Sequence, residues 1–234
     1  MFLFLSFGAS WMSVTHLSVG HHAFHLLEKE KPEVFKFFSS NEIHKTYLFF
    51  GLVDPDIIEM SRGTHYYIYQ PGENKGQYYP PGNGSKYYSA RIHLEEHYAN
   101  AVSLYEKGNI IRAFHQLGMA CHYLADCGTP PHTAGIQFPM NPLAPNPHHA
   151  FEKYVDKHCD EYNATSAIDL YGSLDDAKLG YTVNDMAKKS SSYKDIVLSM
   201  DPLKYPEALP VSLGISQQYT AVLLEKFYRK VSSK

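Results

Sequence analysis

The chain predicts an all-α fold, a single helical domain, on three observations. Apolar residues recur at intervals of three and four through most segments, and sustained period-two alternation is scarce. Glycine, proline and asparagine punctuate the ends of those segments. Apolar residues make up 44% of the 234 and aromatic residues 14%, which is enough to build a core and excludes a disordered chain.

The elements follow in order. Leu17 to Phe38 carries the first helical pattern, with a break expected near Pro32, whose ring removes a backbone donor. Asn41 to Val53 gives a shorter helix. Tyr88 to Lys107 is a long amphipathic helix stopped by Gly108, a residue suited to the left-handed position after a C-terminus. Asn109 is expected to cap the next helix, Ile110 to Asp126. Pro147 suits the first turn of a helix running to about Tyr162. Val183 to Leu198 and Leu213 to Val231 complete the set. Two long loops interrupt it: Tyr66 to Tyr87, rich in Gly, Pro and Tyr, and Thr133 to Asn146, with several prolines. Loops of that length in a compact domain are often functional.

Net charge is −3 with no long run of like charge, so the chain offers no strong basic field for nucleic acid. No apolar run approaches the roughly twenty residues of a membrane-spanning helix. The apolar run Phe2 to Phe7 and the small residues Gly8, Ala9 and Ser10 read as the remnant of a secretory signal over residues 1–10, cut before Trp11. The helical domain then occupies residues 11–234, and the expected location is secreted or extracytoplasmic. Cys121 and Cys127 fall on different faces of one helix, a Cys127–Cys159 pairing stays open, and buried inert thiols are the expectation.

The compositional excess is histidine, with 14, and the most informative segment is HYLADCGTPPH, His122 to His132. His122 and Asp126 are four apart and share a helix face. The helix must stop before Pro130, because the residue before a proline avoids the α region. The turn then delivers His132 to the same place. Two imidazoles and a carboxylate converging at a helix end suit zinc. His148 and Glu152 repeat the four-residue spacing, with His149 a competitor. Asp56 sits in a turn, with Asp54 its rival. His65 and His16 stand alone, and His21 and His22 are alternatives to His16.

Taken together, these residues resemble the zinc-dependent phospholipases C, a superfamily that also contains the fungal single-strand nucleases. The resemblance covers nearly the whole chain from Trp11. It is carried by GN-x-x-x-A-x-x-x-LG-x-x-x-HY-x-x-D-x-x-TP-x-H over Gly108 to His132 and by G-x-x-x-PD over Gly51 to Asp56. It implies three zinc ions. Asp56, His65, His122 and Asp126 would hold one. The amino group and carbonyl of Trp11, with His16 and a shared Asp126, would hold a second. His132, His148 and Glu152 would hold the third. Only a free amine ligates a metal well, so residues 1–10, if attached, are expected to damage the second site.

The activity implied is hydrolysis of a phospholipid between glycerol and phosphate by a zinc-activated water, with Asp56 orienting or deprotonating it. A single-strand nuclease with the same cluster is the alternative, and a non-catalytic zinc-stabilised domain is a third. The expected partner is phospholipid at a membrane surface, with no stable nucleic-acid partner and a monomeric chain. The Asp56–His65 interval is shorter than is usual in the family, and the short Trp11–His16 interval is closer to the nuclease branch. Ile57 and Arg62 stand where the phospholipases are expected to carry aromatic residues, so a choline preference does not carry over. Arg62 would favour an anionic head group. Tyr66, beside His65, is expected at the substrate, where it would stack a base in the nuclease branch.

Overall fold

The structure is a computed structural model that describes residues 13–58, 64–69, 89–139, 141, 143–174 and 179–233. Among these there is no strand; the chain is all-α, a single helical domain. Trp11, Arg62, residues 1–10 and the loop from residue 70 to Tyr87 lie outside the described residues.

The first pattern resolves into α1 (Ser13–Glu30) and α2 (Pro32–Ser39), broken at Lys31 with Pro32 in the first turn of α2, as the missing donor dictates. Asn41 caps α3 (Glu42–Gly51); its side-chain oxygen accepts from the amides of Ile43 and His44 at 3.0 and 3.2 Å. A short α4 (Asp54–Ile58) follows at once. Then come α5 (Ala90–Glu106) and α6 (Ile110–Asp126), joined through Gly108 at φ +76°. Asn109 occupies the position before α6, but its side chain makes no capping bond there, contrary to expectation.

α7 (Pro130–Thr133) is a single turn that the pair of prolines opens. α8 (Pro147–His158) begins at Pro147 and ends four residues short of the expected Tyr162. Val183 to Leu198, expected as one helix, is two, α9 (Leu179–Ser191) and α10 (Lys194–Ser199). α10 stops at Met200, which adopts the left-handed conformation at φ +52°. A π turn over Pro210–Ile215 leads into α11 (Ser216–Ser232). Cys121, Cys127 and Cys159 are buried free thiols, so the open Cys127–Cys159 pairing is not made.

The larger core gathers Phe24, Phe38, Phe114, Leu117, Leu224 and Phe227 between α1, α2, α6 and α11. A second core packs Phe151 and Val155 of α8 against Val19, Tyr205 and Leu213. Between them α6 is buried without interruption from Leu117 to Asp126. α3 crosses α6 at Gly51 and Gly118, where a Cβ on either residue would collide with the backbone of the other helix. That close crossing brings the end of α3, and α4 after it, down onto the face of α6 that carries His122.

Candidate metal centre

Five helices and one non-helical segment supply the side chains. His16 comes from α1, and its neighbours fix it: the Thr15 hydroxyl donates to Asp156, and that of Ser18 donates to Asp160 at 3.1 Å. α1 is thereby tied to the chain around the end of α8. Asp56 comes from α4, and His122 and Asp126 from the last turns of α6. His65 lies in a turn that opens the non-helical segment 64–69. That segment is fastened by bonds from the Ala90 amide to the Tyr66 carbonyl, 3.0 Å, and from the Tyr69 amide to the Thr133 carbonyl, 2.9 Å. His132 sits on α7, and His148 and Glu152 on α8.

The structure brings these residues into three adjoining groups: His16, Asp56 and His122; His65, His122 and Asp126; and His132, His148 and Glu152. It selects among the alternatives left open. His16 is fully buried in the centre, whereas His21 is exposed and His22 half-buried. Asp56 faces the cluster, and Asp54 instead pairs with His115 at 2.6 Å. His148 is buried at the site and His149 is not.

Asp126 spans the first two groups with its two oxygens. Oδ2 lies 2.8 Å from His65 Nδ1 and 3.4 Å from His122 Nε2, while Oδ1 faces His16 Nε2 at 3.7 Å. Asp56 Oδ1 is 3.7 Å from His122 Nε2 and 3.9 Å from His65 Nδ1, and its Oδ2 is 3.9 Å from His16 Nε2. In the third group Glu152 Oε1 meets His148 Nε2 at 2.6 Å and His132 Nε2 at 3.1 Å. Ligands of one tetrahedral zinc, bonded at about 2.0–2.1 Å, stand about 3.3–3.5 Å apart. The donor set fits that ion; the pairs at 3.4–3.9 Å come near its spacing, while those at 2.6–3.1 Å stand at hydrogen-bond distance.

The backbone supplies a further fit. His122 Nδ1 donates to the Leu52 carbonyl at 2.9 Å, His132 Nδ1 to that of His65 at 2.9 Å, and His148 Nδ1 to that of Ile136 at 2.6 Å. In the neutral ring each bond keeps the proton on Nδ1 and leaves the Nε2 lone pair to face the cluster, the usual arrangement of a metal-binding histidine. Asp126 Oδ1 and Glu152 Oε2 are buried and accept no hydrogen bond among the described residues. Buried carboxylate oxygens left this way are costly unless a cation reaches them.

Electrostatics without metal show how much charge the site must balance. Burial opposes a charged His122, yet Asp126 and Asp56 carry its pKa up to about 9. Burial would raise Glu152, but His148 and His132 hold it down to about 2. Asp126 is buried too and is held well below the carboxylate range by His122 and His132. Asp56 goes the other way, raised mainly by burial. His16, stacked on His122 with centroids 3.9 Å apart, is lowered by burial and by that neighbour.

Residues 15–198 match the profile of the zinc dependent phospholipase C family. This chain belongs to that family. Its fold is similar to the alpha-toxin of Clostridium perfringens from an avian strain, with a TM-score of 0.73 at 20% identity over 94% of this chain. It is likewise similar to the alpha toxin of Clostridium absonum, with a TM-score of 0.74 at 18% identity over 97% of this chain. The chain spans 64% of the first toxin's length and 67% of the second's. No curated protein sequence matches it.

Tyr66, expected at the substrate, is buried against the third group. It is 2% exposed; its hydroxyl donates to the Ile136 carbonyl at 3.2 Å and lies 3.0 Å from His148 Nδ1. Its ring packs on His132 at 5.2 Å. It thereby holds two members of the third group. Sequence reasoning also missed the His115–Asp54 pair and the three carbonyls that orient histidines. The first had a signal, since His115 precedes His122 by seven residues on one helix face. The carbonyls had none, because every residue carries one.

Proposed function

We propose that the chain is a phospholipase C that cleaves phospholipid between glycerol and phosphate with three zinc ions. The observation that carries the reading is the set of three adjoining histidine–carboxylate groups, two of them with His122 in common and with Asp126 Oδ1 facing His16 at 3.7 Å across them. A structural zinc site is normally closed and stands alone; adjoining sites with a shared carboxylate suit hydrolysis of a phosphate ester. Zinc, when bound, supplies an acidified water and neutralises the phosphate.

The chain's own residues do the rest. His65, His122, Asp126 and Asp56 hold one ion, and His132, His148 and Glu152 another. His16 and Asp126 hold the third, completed by the amine and carbonyl of Trp11 once residues 1–10 are removed. Asp56 lies 3.7–3.9 Å from His16, His65 and His122, which supports a role for it in orienting the attacking water or taking its proton. Arg62 favours an anionic head group. Export to a secreted or extracytoplasmic location accompanies removal of residues 1–10, and the chain acts as a monomer.

The test uses the protein starting at Trp11, loaded with zinc and offered mixed phospholipids and single-stranded nucleic acid in parallel. The expected result is chelator-sensitive release of diacylglycerol. Release of nucleotides instead would overturn the phospholipase reading in favour of the nuclease branch. Equal zinc content and activity with residues 1–10 attached would remove Trp11 from the ligand set.

A further inference from the structure

Helix α3 is apolar on two neighbouring sides. One carries Leu48 and Gly51 into α6. The other turns Ile43, Tyr47 and Phe50 to solvent, 59%, 39% and 53% exposed, at spacings of four and three that make one stripe. The rings of Tyr47 and Phe50 lie 5.8 Å apart. Ile57 of α4, 62% exposed, adds a further apolar side chain directly after Asp56. Packing of the domain does not need this stripe, because the buried face of α3 already serves the core. A contiguous exposed apolar face on a folded domain marks an interaction surface.

Charge identifies the partner. A cleft of about 640 Å³ opens beside Tyr47, and its wall includes Lys107, Arg112 and His115. His115 is the residue that grips Asp54 of α4, so the cleft, the stripe and the edge of the metal centre share one side of the α3–α4–α6 unit. Glu42 pairs with Lys45 at the start of the stripe and Asp54 with His115, so the cations that the cleft offers beside the apolar side chains are Lys107 and Arg112; apolar side chains next to such cations fit an anionic bilayer, where the former enter the head-group boundary and the latter meet lipid phosphates. We propose that this face docks the protein on an anionic lipid surface, with Lys107 and Arg112 taking a lipid head group in the cleft. The inference rests on phospholipid being the substrate, and it places the docking surface on the helix that leads to Asp56.

The test is co-sedimentation of the zinc-loaded chain with phosphatidylcholine vesicles made with and without phosphatidylglycerol. The variants are Ile43→Ser with Phe50→Ser, and Arg112→Glu. Wild type should bind the anionic vesicles more tightly. The double variant should lose at least about tenfold in vesicle affinity. Arg112→Glu should lose the preference for phosphatidylglycerol. The double variant should cleave a soluble short-chain phospholipid at the wild-type rate. Vesicle binding unchanged in the double variant would overturn the docking face. So would a wild-type dimer that the double variant converts to monomer without loss of vesicle binding, since the stripe would then belong to a second copy. Failure of wild type to cleave the short-chain substrate would overturn the phospholipase reading itself, and the vesicle measurement reads separately from it.

Discussion

The group around Asp126 and the group around Glu152 use the same residue types but are assembled differently. His132, His148 and Glu152 come from one stretch of twenty-one residues, on α7 and α8, and share a single carboxylate oxygen. The Asp126 side draws His16, Asp56, His65 and His122 from four separate parts of the chain, and Asp126 must serve them with both oxygens. The local group depends on one helix start and one turn. The distributed group depends on the tertiary fold, and above all on how α1, α3 and α4 sit on α6.

The sharpest way to break that difference is Asp126→Asn. It should remove two zinc ions and cut activity by more than a hundredfold, beyond the roughly 10–100-fold range expected for a supporting residue. Glu152→Gln should remove one. Metal analysis of the purified variants checks both, and equal losses would mean that Asp126 is not shared. Gly118→Val comes next. Its side chain would meet the α3 backbone, which cannot yield as a flexible side chain can, so a loss of about 3 kcal/mol is expected. Zinc loss should fall on the Asp126 side first, with the His132–His148–Glu152 ion retained longer on dilution into chelator.

Tyr66→Phe should act on the local group alone. It removes the hydroxyl from Ile136 and His148, and about a tenfold loss of zinc affinity at one site is expected, read by competitive chelation. An unchanged affinity together with a raised KM would return Tyr66 to the substrate. His115→Ala releases Asp54 and with it the hold of α4 on α6, and a stability loss of about 1–2 kcal/mol should appear in denaturant unfolding.

The smallest effect is in pH. Glu152, ordinarily near 4.5, is held at about 2, so its contribution is present above 4.5 and lost as pH falls through 2. His122, ordinarily near 6.5, is raised to about 9, so its contribution is full below 6.5 and lost as pH rises through 9. The metal-free protein should therefore be most stable between about pH 4.5 and 6.5. Zinc needs deprotonated ligands, so its stabilisation grows with pH. Thermal melts of chelated and zinc-loaded protein should diverge as pH rises, and a chelated protein that gains stability above neutrality would contradict the charge pairing.

The same contrast explains what was legible beforehand. His122 with Asp126 and His148 with Glu152 were readable from a four-residue spacing, because a helix makes that spacing a geometric fact. Pro32, Gly108 and Pro147 marked helix ends for equally local reasons. Asp56, His65 and His16 entered the ligand set through a family resemblance, since no local rule says that α1 and α4 meet α6. The buried place of Tyr66 and the break between α9 and α10 follow from tertiary packing, which a local pattern does not encode. Asn109 shows the converse: a favoured capping residue in the right position whose side chain makes no cap.

The most direct measurement is anomalous diffraction at the zinc edge from crystals of the protein starting at Trp11. The account predicts three peaks: one among His65, His122, Asp126 and Asp56, one beside His16 and Asp126, and one among His132, His148 and Glu152. A single peak, or peaks away from these side chains, would contradict it.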